Sequence, residues 1–136
     1  MRVLDASVVT NAMAVSGAVG DVARRLVGRE RKLHVPAMFI AEVASGLRGM
    51  VHRGLLEAGD ARAAAMRAAS VRSRLYPFEP FLERAWDLRD NVTTYDAWYI
   101  ALAESLDASL VTADDRLRHA AGPRCPVLTP EEAEAH

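Results

Sequence analysis

Apolar residues in this chain fall into short blocks with two different periods, separated by charged or glycine-containing connectors. Met1 to Leu4 is a brief apolar run that stops at Asp5, and residues 8–15 read as a helix. Gly17 and Gly20 predict a turn, with a second helix over 21–27. After the charged connector Arg29-Glu30-Arg31-Lys32, the run Leu33-His34-Val35 reads as a strand closed by Pro36. Phe39, Val43, Leu47 and Met50 recur at spacings of four and three, which predicts a helix over 37–51 with that stripe turned inward. A turn over 54–59 leads to an alanine-rich helix over 60–70. A short strand follows within 73–78, then a helix over 80–90 whose bulk is Trp86 and Leu88.

The densest signal lies in residues 93–117. Thr93 and Thr94 offer a helix cap, Asp96 follows, and Ala97 to Ala103 are all apolar. A helix that is apolar on every side belongs in the interior of a domain. The run Ala108 to Val111 then reads as a buried strand ending at Thr112-Ala113-Asp114-Asp115, before another helical start at Arg116-Leu117. At the end, Thr129-Pro130-Glu131-Glu132 has the cap residue, first-turn proline and acid of a capped helix. Strands alternating with helices predict an α/β fold, a central parallel sheet flanked by helices on both sides. A chain of 136 residues is expected to form one domain spanning 1–136.

Composition narrows the field. The chain is 51% hydrophobic and 26% charged, which excludes a mostly disordered polypeptide. Its one cysteine, Cys125, leaves no disulfide framework and no cysteine-rich zinc site, so a reducing compartment, the cytoplasm, is expected. No apolar run approaches the ~20 residues of a membrane span, so no membrane partner is expected. Net charge is −1, so any contact with nucleic acid depends on a local basic patch. The segment Gly17-Ala18-Val19-Gly20 matches neither the dinucleotide-binding nor the phosphate-loop glycine pattern.

Candidate chemistry therefore rests on acids. Asp5 and Asp114 stand at the ends of strands, where an open parallel sheet binds its ligands, while Glu42 and Asp96 sit on helices beside them. Each has a plainer reading. Asp5 could cap a helix, and Thr93 to Asp96 and Thr112 to Asp115 both fit the Ser/Thr-x-x-acid cap. Asp114 is not needed for such a cap. Glu42 lies next to the apolar stripe of its helix, where a carboxylate is costly unless it is paired, for example with Arg48, or holds a cation. Carboxylates drawn to one spot repel one another, and a divalent ion relieves that repulsion. Oxygen donors without histidine or cysteine select hard ions such as Mg2+ or Mn2+, which suit metal-assisted attack of water on a phosphodiester.

Four blocks in this order resemble a known family. They are Val3-Leu4-Asp5-Ala6-Ser7, Ala41-Glu42-Val43, the run from Thr94 through Asp96 to Glu104, and the run from Leu110 through Thr112 and Asp114 to Leu117. Together they resemble the PIN domain and, more narrowly, the VapC toxins of bacterial toxin–antitoxin pairs. The resemblance implies a divalent-metal-dependent endoribonuclease that leaves a 5′-phosphate and a 3′-hydroxyl. Asp5, Glu42, Asp96 and Asp114 would surround the Mg2+ or Mn2+ ion, Asp5 and Asp96 most directly. Ser7 and Thr112 would support the site, and Asp115 would act as a cap or an outer support. It also implies a homodimer, an RNA substrate and a cognate VapB-type antitoxin that covers the acids. Two other readings compete. A phosphoaspartyl phosphatase needs a second acid where Ser7 stands. A non-catalytic PIN-like scaffold would bind a protein or nucleic acid without cutting.

Overall fold

The computed structural model describes residues 1–136. Five short strands carry the architecture: β1 Arg2–Leu4, β2 Leu33–Pro36, β3 Ser73–Tyr76, β4 Ser109–Val111 and β5 Val127–Leu128. Between them run α1 Ala6–Ala14, α2 Gly17–Arg29, α3 Phe39–His52, α4 Ala58–Ser70, α5 Leu82–Asp87, α6 Thr94–Ser105, α7 Asp115–Arg118 and, last, α8 Pro130–Glu134. Every pairing is parallel. One ladder joins β1, β4 and β5, with Val3 opposite Leu110 and Leu110 opposite Val127. The other joins β2 and β3, with Leu33 opposite Ser73 and Pro36 opposite Tyr76. The two ladders meet where β1 lies beside β2.

From β1 the chain builds outward on one side through β2 and β3, then returns to place β4 and β5 on the other. The order reverses between β1 and β4, the position at which open α/β sheets form their ligand crevice. Asp5 and Thr112 are the first residues past the ends of these two strands.

Helices cover both faces. On one, α1 packs against α2, α3 and α4; on the other, α6 packs against β1, β2 and β4, with α5 outside it. The all-apolar run of α6 is buried from Ala97 to Ala103, as its sequence predicts. Tyr99, Phe39, Leu26 and Leu110 are among the largest buried side chains of one core cluster. No single helix is long and apolar enough to cross a membrane.

Several elements depart from the sequence reading. The turn expected over Gly17 to Gly20 is instead the first turn of α2, and the corner lies at Val15 and Ser16. The α1 and α2 axes bend through 118° there. Gly20 makes that bend possible: a Cβ at residue 20 would lie 1.7 Å from the Val15 carbonyl oxygen. Arg24 then donates to the carbonyls of Ala12 at 3.2 Å and Val15 at 2.8 Å, capping the end of α1 from outside. The helix expected over 80–90 is a 3-10 turn, Glu79–Phe81, followed by the shorter α5. Trp86 does not supply its bulk: Leu88 is buried, but Trp86 is 63% exposed. Strand β5 has no counterpart in the sequence reading, since two residues carry no period.

Candidate active site

The crevice at the strand reversal is built by four segments. Asp5 leaves β1 with its N–H still donating to Val111 O at 2.9 Å, so the ladder itself fixes its Cα. It occupies the N-cap position of α1, yet its side chain does not cap the helix. Instead, Asp5 Oδ2 accepts hydrogen bonds from Ser7 Oγ at 2.7 Å and from Thr112 Oγ1 at 2.9 Å. Thr112 Oγ1 in turn accepts the Asp114 N–H at 3.0 Å, and Ser7 Oγ accepts the Ala113 N–H at 3.1 Å. Two hydroxyls thus stitch the loop after β4 to the loop after β1. Ser7 and Thr112, the supports expected from the resemblance, both lie against Asp5.

The other two acids arrive on helices. Asp96 stands in the first turn of α6, where its N–H is held by Thr93 Oγ1 at 3.2 Å. Glu42 stands in the first turn of α3. All four acids line one cleft of about 460 Å³, together with Ser7, Asn11 and Arg53. The sequence reading expected Asp5, Glu42, Asp96 and Asp114 to converge, and the fold brings them to the same cleft.

Burial and mutual repulsion make this cleft reluctant to hold its charge. Asp5 is only 7% exposed, and burial raises its pKa against the opposing pull of the Ser7 and Thr112 hydroxyls. Burial also raises Asp96, and the Asp5 charge adds to it. Glu42 is pushed up to about 7, first by burial, then by the charges of Asp5 and Asp96. Its Oε1 is buried with no hydrogen-bond partner, and so is the nearby Tyr99 hydroxyl. The two groups influence each other's protonation without adopting hydrogen-bond geometry; burial, then the Glu42 charge, raises the Tyr99 hydroxyl. The pairing of Glu42 with Arg48 raised by the sequence does not form. An unpartnered buried carboxylate oxygen among other acids is what a hard cation would satisfy, so the residues fit Mg2+ or Mn2+. No three of these side chains are already gathered closely enough to chelate an ion by themselves.

The end of β4 differs in detail from expectation. The N-cap of α7 is Asp114, whose Oδ1 accepts the Arg116 N–H at 2.9 Å; Thr112 and Asp115 do not form the cap box that their spacing suggests. Asp115 is exposed and lines a separate small cleft with Asn11, Thr112 and Thr129, outside the acid cleft. His34 packs beside β3, its Nδ1 lying 2.7 Å from the Tyr76 hydroxyl. Glu104 is held by Arg84 at 2.7 and 3.0 Å and by the Arg124 N–H at 2.7 Å, a structural acid on the far turn of α6. Sequence reasoning missed Tyr99, although it follows Asp96 by three and so shares its helix face. It also missed Arg53, Arg89 and Arg116 beside the acids, for which no local pattern gives a signal.

The chain matches the PIN domain family over residues 2–123. It is 42% identical to ribonuclease VapC9 of Mycobacterium tuberculosis over 127 residues, 93% of this chain and 96% of that protein. It is 38% identical to ribonuclease VapC12 of the same species over 122 residues, 90% of this chain and 93% of that one. Its fold superposes on the crystal structure of FitAcB from Neisseria gonorrhoeae with a TM-score of 0.69, at 17% identity, covering 96% of this chain and 99% of that one. The chain belongs to the PIN domain family, within its VapC-type ribonuclease branch.

Proposed function

We propose that this protein is the toxin of a type II toxin–antitoxin pair, an endoribonuclease that hydrolyses RNA phosphodiesters with the help of Mg2+ or Mn2+. The observation that carries this reading is the convergence of four acids from four elements on one cleft, with a buried Glu42 oxygen that no protein group satisfies. The VapC ribonucleases to which the chain is similar support the activity and the toxin role.

Asp5 and Asp96 would hold the ion most directly, with Glu42 and Asp114 completing the anionic wall. Bound there, the ion supplies a Lewis acid that activates water and offsets charge developing on the phosphate. The chain's own residues do the positioning. Ser7 and Thr112 fix Asp5 through one oxygen, Oδ2, and the ladder bond to Val111 fixes its backbone. Thr93 and α6 fix Asp96. In the reaction, water adds to phosphorus, the bond from phosphorus to the 3′ oxygen breaks, and that oxygen takes a proton. One fragment keeps a 5′-phosphate and the other a 3′-hydroxyl. A cognate VapB-type antitoxin would silence the toxin by covering the acids, the working unit would be a homodimer, and its action would be in the cytoplasm where the RNA is.

Cleavage of total RNA by purified, antitoxin-free protein tests this reading, run with Mn2+, with Mg2+ and with chelator beside Asp96→Asn. Discrete cuts that need the ion and vanish in the variant are expected. A folded protein that neither binds the ion nor cuts would be the non-catalytic scaffold, a reading favoured only by the loose spacing of the acids.

A further inference from the structure

The crevice does not stop at the four acids. Asp96 and Asp114 also form one wall of an adjoining cleft of about 440 Å³, whose other sides include Arg89, Asn91, Thr93 and Arg116, with Asp90 a third carboxylate on its lining. Four arginines elsewhere are held by acids: Arg24 by Asp21, Arg25 by Glu134, Arg84 by Glu104 and Arg118 by Glu132, at 2.6 to 2.9 Å. Neither Arg89 nor Arg116 joins such a pair, although Arg116 is near enough to Asp96 to oppose the rise in its pKa. The Arg116 side chain makes no hydrogen bond, and Arg89 gives one nitrogen, Nη1, to a backbone carbonyl, so both keep guanidinium donors for a phosphate.

Arg89 is also pre-set. It donates to the Trp86 carbonyl at 3.0 Å, and its guanidinium carbon lies 5.2 Å from the centre of the Trp86 ring. That ring is 63% exposed, whereas Trp98, the only other tryptophan, is 7% exposed. Leaving an indole in water forgoes the stabilisation of burying it. Trp86 does not line the cleft itself, but it is mostly exposed and stacks with Arg89, which does. Aromatic and guanidinium planes of this kind are what unpaired bases stack on in single-strand recognition.

We infer that the Arg89–Asn91–Arg116 cleft, with Trp86 beside it, is a subsite for a nucleotide of single-stranded RNA adjacent to the scissile phosphodiester. Arg89 and Arg116 take the backbone phosphate, and the Trp86 ring stacks a base. This deepens the ribonuclease reading and rests on it. It restricts the substrate to unpaired RNA, because a base inside a duplex cannot present its face to a protein ring. The acid cleft has its own unpaired cation, Arg53, on the α3 side. Phosphates on both sides of the cut therefore meet positive charge.

The test uses the full chain in chelator, so that RNA binds and is not cut. The probe is a short unstructured oligoribonucleotide, alone and annealed to its complement, read by anisotropy and by tryptophan emission. The single strand should quench the emission, because Trp86 is the exposed indole, and the duplex should not. Trp86→Ala should abolish the quench and weaken binding roughly five- to a hundredfold. Arg89→Gln and Arg116→Gln should each weaken binding about tenfold and lower the salt dependence by about one phosphate contact. With Mn2+ restored, the losses should fall on KM more than on kcat. Unchanged affinity and salt dependence in all three variants, with metal-dependent cutting intact, would overturn the subsite and leave the ribonuclease standing. RNA binding with Trp86 quenching but no cutting under any ion would do the reverse. If Trp86→Ala altered the oligomeric state by light scattering while RNA affinity held, Trp86 and the exposed Leu82 one turn before it would be an interface between copies, and the subsite would be refuted.

Discussion

Glu42→Gln should stabilise the ion-free protein while weakening its hold on the ion. The side chain stands among acids with one oxygen buried and unpartnered, and its pKa is raised from 4.5 to about 7. A raised carboxyl pKa means that the folded state keeps a proton that the unfolded chain releases. Stability is therefore greatest below the unfolded value and declines as pH climbs from about 4.5 through about 7, remaining low above it. Asp5 and Asp96 are shifted in the same direction and add to the same slope. At about 1.4 kcal/mol per unit, the Glu42 shift sets a ceiling near ~3 kcal/mol, and solvent screening of a half-buried group brings it to the order of 2 kcal/mol. A neutral amide of the same shape removes that cost. For a chain of this length, 2 kcal/mol corresponds to a rise in Tm of about 5–10 °C.

Thermal melts in chelator at pH 8 and pH 5 check this. The variant should melt higher than the parent at pH 8, and the gap should shrink at pH 5, where the parent carboxyl is protonated. Adding Mg2+ or Mn2+ at pH 8 should reverse the ranking. An ion at a hundred times its Kd stabilises by about 2.7 kcal/mol, and the parent should gain more of it than the variant. An equal gain at both pH values would mean that packing and not charge sets the effect. No gain at pH 8 would mean that Glu42 is not strained by its neighbours.

Five other substitutions probe the supports of the site and fold. Thr112→Val deprives Asp5 of a donor and leaves the Asp114 N–H without its acceptor, so denaturant unfolding should show a loss of about 1–3 kcal/mol; Thr112→Ser, which keeps the hydroxyl, should restore most of the RNA cleavage. Gly20→Ala drives a Cβ into the Val15 carbonyl and should destabilise by at least about 2 kcal/mol, whereas Gly28→Ala, in the same helix with open space around it, should be neutral or stabilise by up to about 1 kcal/mol in the same unfolding assay. Glu104→Gln weakens the paired contacts of Arg84 and should cost about 1–3 kcal/mol by denaturant titration, with ion-dependent cleavage retained in the folded fraction.

Local pattern was enough for much of the fold. The inward stripe of α3, the all-apolar α6 and the strand runs of β1, β2 and β4 are legible because burial is written into period and hydropathy. The four acids were legible too, but for different reasons. Glu42 stood out by being polar beside an apolar stripe. Asp5 and Asp114 stood out only by their place at strand ends. Caps were less legible: Thr112 and Asp115 have the spacing of a cap box, yet the Thr112 hydroxyl is spent on Asp5, 107 positions away, and Asp114 caps α7 instead. Turn residues misled at Gly17 and Gly20: Gly20 serves the close approach of α2 to the Val15 carbonyl, and Gly17 takes the positive φ with which α2 begins.

The sequence by itself determined most of the strands and helices, the faces they bury and which acids are costly to leave alone. Those properties follow from residues within a few positions of one another. Tertiary structure alone decided the two-residue β5, that Asp5 and Thr112 share a hydrogen bond, that Glu42 and Tyr99 lie near each other without pairing, and that Arg89 and Arg116 share a cleft with Asp96 and Asp114. Strand order sets these contacts, and strand order results from packing the whole chain around one core. Segments distant in sequence meet at the reversal between β1 and β4, and no window of neighbouring residues encodes that meeting.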